Sequence, residues 1–95
     1  MEPEFDRDGY PTDKTLETIA TWDHRDSVGW FDFIKRAWHM SSWGWSETED
    51  EYHISTGGWS GNESIIGAMN RNILWTLLWY SSRRGGHFVL KKIHK

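Results

Sequence analysis

The chain has no cysteine, only two prolines and no apolar run long enough to cross a membrane. The first absence excludes disulfides and thiolate metal sites and fits a reducing compartment. The acidic start, Met1 to Tyr10, lacks the apolar core of a signal peptide, so the cytoplasm is the expected location. Missing too are a phosphate-binding P-loop, a dinucleotide fingerprint, a His-Glu-x-x-His zinc motif and a nucleophile elbow. The sequence therefore leans away from an enzyme, and no cofactor is expected. Repeats and low-complexity tracts are absent, and 95 residues suit a single domain, 1–95, with residues 1–11 as a loose arm turning at Gly9-Tyr10-Pro11.

What the chain does have is tryptophan. Eight indoles, Trp22, Trp30, Trp38, Trp43, Trp45, Trp59, Trp75 and Trp79, exceed what so small a core can bury. Some must line a pocket, a surface or an interface. Charge is also uneven: residues 1–52 carry a balance of −8 and residues 53–95 one of +5. This asymmetry fits either head-to-tail self-association, giving a homo-oligomer, or an acidic half folded over a basic one. The net charge of −3 speaks against duplex DNA as a partner.

Periodicity predicts an α+β fold. Thr12 can cap a short helix with Leu16, Ile19 and Ala20 on one side. Asp26 or Ser27 can cap a second, to about Met40, with Trp30, Phe33, Ile34, Ala37 and Trp38 as its buried stripe. Trp43 to Ser55 reads as a β-hairpin around the acidic Glu47 to Asp50 loop, with Trp43 and Trp45 on one face and Gly44 bare for a close neighbour. Ser60-Gly61-Asn62-Glu63 matches a capping box for a third helix, to about Asn72, burying Ile65, Ile66 and Met69. Ile73 to Tyr80 fits a helix or a strand. The alternation of Trp75, Leu77 and Trp79 and the glycines of Arg83-Arg84-Gly85-Gly86 favour a strand paired with His87 to Ile93. The expectation is two hairpins joined in one small antiparallel sheet, packed with about three helices.

Candidate ligand-binding residues cluster in two polar segments: Trp59, Ser60, Asn62 and Glu63 in the first, and Arg83, Arg84 and His87 in the second. A glycine-flanked helix start can hold an anion, though the Ser60–Glu63 cap accounts for the same residues. Arginine forks bind phosphate and stack on rings, though in a hairpin they also serve as a solvated tip. The five histidines lack helical metal-ligand spacing; a site of His53, His87 and Glu63 requires the fold to gather them.

The run HISTGGWSGNE from His53 to Glu63, SSRRGGHFV from Ser81 to Val89, and Trp43-Gly44-Trp45 resemble a family of small uncharacterised proteins encoded by tailed phages and prophages. The resemblance covers about half the chain and implies an accessory phage protein in the host cytoplasm, of the kind that antagonises host defence. The leading expectation is a non-enzymatic protein that binds a small anionic, nucleotide-like ligand. The alternatives are an inhibitor that binds a host defence protein and, third, a small hydrolase using Glu63 and a histidine.

Overall fold

The computed structural model describes residues 2–93. In chain order the elements are α1 (Asp13–Thr21), α2 (Ser27–Ala37), α3 (Ser41–Gly44), β1 (Trp45–Glu47), β2 (Glu51–Ser55), α4 (Ser60–Asn70), α5 (Ile73–Leu78), β3 (Trp79–Arg83) and β4 (His87–Lys91). The strands make one antiparallel sheet in the order β1-β2-β4-β3, so the two hairpins meet through β2 and β4. The fold is α+β with a small sheet.

Helix starts follow local chemistry. The Thr12 hydroxyl accepts from Thr15 N–H at 3.2 Å, and the Asp26 carboxylate from Gly29 N–H at 3.0 Å. Helix α2 then buries Trp30, Phe31, Phe33, Ile34 and Ala37, the stripe its 3.6-residue period dictates plus Phe31. Of residues 1–11, read from sequence as a loose arm, the segment around Glu4 is tied to α1. Thr15 Oγ1 donates to Glu4 O and accepts from Glu4 N–H, at 2.8 and 2.7 Å, and Phe5 bridges Pro11.

Three tryptophans go to the core: Trp30, Trp38 and Trp45. Trp30 Nε1 donates to Ile19 O at 2.9 Å and Trp38 Nε1 to Ser55 O at 3.1 Å, which joins the second helix to the sheet. The Trp45 N–H finds no acceptor among the described residues, at a cost of about 1–3 kcal/mol. Its ring is held edge-on against Trp38 and Tyr52 instead.

Three local expectations need correction. Residues 73–78 are helix, and the strand begins only at Trp79. Asn72 decides this. Its side chain accepts from Leu74 N–H at 2.9 Å, capping α5, while its amide donates to Ile19 O and Trp22 O. Leu74 and Leu78, four apart, then reach the core, and the two-residue alternation of Trp75, Leu77 and Trp79 loses to that burial. Second, Trp43 shares no strand with Trp45; it lies in the helical turn α3 and is 67 % exposed. Gly44 does meet a close neighbour, because a Cβ there would come within 2.5 Å of Ser55 O. Third, the reciprocal Ser60–Glu63 cap does not form. Trp59 occupies the cap position without a side-chain bond, and the Ser60 hydroxyl donates to the Tyr10 hydroxyl at 3.1 Å.

Candidate functional site

The sheet has one covered face and one open face. Strand side chains alternate, so Tyr52 and Ile54 of β2, with Phe88 and Leu90 of β4, turn toward the helices. Glu51, His53 and Ser55, and opposite them Lys91, Val89 and His87, take the other face. On β3 the register puts Arg83 opposite His87 and Ser81 opposite Val89, adding both to it. Residues far apart in sequence thus form rows: Ser55, His87 and Arg83 at one end of the sheet, then His53, Val89 and Ser81, then Glu51 and Lys91.

A shallow depression of about 300 Å³ lies on this face, lined by His53, Ile54, Arg83, His87, Phe88 and Val89. None of the six is an acid. Elsewhere Arg25, Arg36 and Arg71 each rest against a carboxylate. Among the described residues no carboxylate pairs with Arg83, Arg84 or His87. The adjoining row is balanced differently. Glu51 accepts from Lys91 Nζ at 2.5 Å through Oε2, and its Oε1 lies 3.0 Å from His53 Nε2. The Lys91 ammonium, then the His53 contact, holds the Glu51 carboxyl below its ordinary range, and Glu51 in turn raises Lys91. A carboxylate only accepts, so Nε2 carries the proton and Nδ1 is the free nitrogen of His53.

The turn joining β3 to β4 is shaped by its glycines. Gly85 and Gly86 have φ of 88° and 80°, open to glycine at little cost, and a Cβ on Gly86 would strike Thr56 Oγ1 at 2.2 Å. Thr56 N–H donates to Gly86 O at 3.0 Å. Thr56 itself lines a second depression, of about 370 Å³, with His39, Met40, Trp43, Gly57 and Trp59.

The second depression is built around Asn62. Buried in α4, Asn62 accepts from His39 N–H at 2.9 Å and donates to His39 O at 3.0 Å and Thr56 O at 3.3 Å. It thereby clamps the chain next to Met40, whose φ of 60° is unusual for a side-chain-bearing residue and costs on the order of 1–3 kcal/mol. The strained turn aims Met40 and Trp43 outward. Trp59 stacks on Tyr10, with ring centroids 5.0 Å apart, and packs against His39 at 4.4 Å. Its ring is thus engaged within the chain. The Trp43 ring rests on Gly57 and is the accessible aromatic surface here.

The seven residues singled out by sequence therefore divide. Arg83 and His87 line the open-face depression, and Arg84 sits in the turn at its end. Trp59 lines the aromatic depression, Ser60 holds Tyr10, and Asn62 is the clamp beneath. Glu63 is exposed on α4 and lines neither. Sequence reasoning missed Glu51 and Lys91, missed Trp43 as an exposed ring at a site, and placed His53 only in a hypothetical zinc set. The available signal was strand alternation, which puts His53 and His87 on faces opposite to Ile54 and Phe88; the register that makes them neighbours was not visible. No protein-family model matches the chain, and no curated protein or solved structure does either.

Proposed function

We propose that the protein binds a small anionic, nucleotide-like ligand, with the phosphate groups on the open sheet face. The supporting observation is the depression lined by His53, Arg83 and His87 with no acid among its lining residues. Arginine can grip a phosphate bidentately, and each charge-assisted hydrogen bond contributes about 1.5–3 kcal/mol. The exposed Trp43 ring, across the Thr56–Gly86 seam, supplies a stacking surface for a base. Trp59, a candidate ligand contact from sequence, is taken up by Tyr10 and His39 instead. In the setting that the phage resemblance implies, such a protein captures a signalling nucleotide in the host cytoplasm.

The experiment is calorimetric titration with pyrophosphate and a panel of mono- and dinucleotides. A nucleotide should bind more tightly than pyrophosphate. Arg83→Ala with Arg84→Ala should weaken it at least tenfold while the melting curve stays unchanged, since both side chains are exposed. Equal affinity in the double variant contradicts the proposal. A second reading, a homo-oligomer, draws on a different surface: Ile73 and Leu77 of α5 and Trp79 and Tyr80 of the edge strand β3 are all exposed. Light scattering at micromolar concentration tests it, and Leu77→Lys with Trp79→Ser should then return a monomer. Among the described residues no helix is long and apolar enough to cross a membrane.

A further inference from the structure

We propose that the open-face depression also cleaves single-stranded RNA by metal-independent phosphoryl transfer. This rests on the reading that a phosphate-bearing ligand binds there. Such a transfer needs a base to take a proton from the 2′-hydroxyl, an acid to protonate the departing 5′-oxygen, and a cation against the phosphate. Two imidazoles and a guanidinium line the depression, on three adjacent strands of a rigid sheet. Their environments differ. His53 has Nε2 engaged by Glu51, which Lys91 anchors, so its ring is oriented and Nδ1 is left to accept a proton. His87 has no carboxylate partner among the described residues and stands opposite Arg83.

The step gives the base to the ring that Glu51 orients and the acid to His87, which enters as its imidazolium. His53 Nδ1 takes the 2′-hydroxyl proton, and the 2′-oxygen forms a bond to the adjacent phosphorus. The bond from phosphorus to the 5′-oxygen breaks, its electron pair going to that oxygen, which takes a proton from His87. Arg83 faces the non-bridging oxygens throughout. The products are a 2′,3′-cyclic phosphate and a 5′-hydroxyl, and proton exchange with water resets both rings. No metal, oxidant or second substrate is consumed. Single strands fit because an open sheet presents a shallow platform on which unpaired nucleotides can splay. Glu51 acts through His53 and is a positioning residue.

The test uses the full chain with EDTA and a labelled single-stranded RNA oligonucleotide. Wild type should yield fragments ending in 2′,3′-cyclic phosphate, and the all-deoxy oligonucleotide should bind uncut. His53→Asn and His87→Asn, prepared identically, should each slow cleavage by about a hundredfold or more with unchanged melting curves. Glu51→Gln should lower kcat and leave KM unaltered. Intact RNA, with the deoxy oligonucleotide bound in an Arg83-dependent way, overturns the cleavage inference and leaves the binding proposal standing. Intact RNA with no binding of either oligonucleotide overturns both. Equal cleavage by wild type and both histidine variants assigns the activity to a contaminant and overturns the inference.

Discussion

Consecutive residues of β2 lead opposite lives. Tyr52 and Ile54 pack under the helices, with Ile54 1 % exposed and Tyr52 stacked on Phe31 at 3.8 Å. Glu51 and His53, one position away, lie half-buried on the open face, opposite Lys91 and Val89 of β4 and in contact with each other. Strand β4 repeats the division with Phe88 and Leu90 against His87 and Lys91. The contrast separates two kinds of constraint. Inward positions answer to volume and have little chemical freedom. Outward positions are bound by neither core nor cap, so Arg83 and His87, which meet no carboxylate among the described residues, have no structural task there to explain them. The same backbone that stabilises the domain displays them, because side chains two residues apart share a face.

The comparison breaks if the two faces respond alike to truncation. Ile54→Ala should cost about 2–5 kcal/mol, while His53→Ala next to it should stay within about 0.5 kcal/mol, both read by chemical denaturation. Comparable losses would mean that the open face is covered by something. Asn62→Ala comes next, at roughly 1–3 kcal/mol, since the His39 N–H loses its acceptor and two carbonyls lose a donor beneath the strained Met40. It should also loosen the aromatic depression, seen as a changed fluorescence of Trp43 and Trp59, and leave the His53 side intact.

Acid sharpens the contrast on the open face. Glu51 has a folded-state pKa below its ordinary 4.5. A lowered carboxylate stabilises the fold above its unfolded pKa, and that contribution is lost as pH falls through the folded value. Wild type should therefore lose stability as pH falls below the ordinary carboxylate value, with a steeper slope than Glu51→Gln. The smallest effect is at Ser60. Its hydroxyl meets Tyr10 at the surface and caps nothing, so Ser60→Ala should change stability by less than about 0.5 kcal/mol in a thermal melt. A loss near 1 kcal/mol would restore the capping box.

Much of the architecture was legible because local signals agreed with tertiary ones. The caps at Thr12 and Asp26, the stripe of α2, the burial of Ile65, Ile66 and Met69, and the two hairpins all follow from spacing and turn chemistry. Failures came where one residue had two uses. Ser60 was read as a cap, yet its hydroxyl is taken by Tyr10, fifty positions away. Asn72 looked like a helix end and instead starts the next helix by holding Ile19 and Trp22, a contact absent from any local pattern. At the site, Arg83 and His87 were visible as turn-flanking polar residues. His53 was hidden because its neighbours come from the β2–β4 register, which alternation alone does not set.

The central claim is that His53, His87 and Arg83 form one anion-binding cluster on the open sheet face. Histidine-ring NMR during titration with a short single-stranded oligonucleotide tests it most directly, because the imidazoles report from separate places on the molecule. The account predicts that the His53 and His87 resonances move together and saturate at one ligand concentration, that His24, on the polar loop before α2, stays still, and that Arg83→Ala abolishes both movements. Saturable binding that shifts neither His53 nor His87 would contradict it.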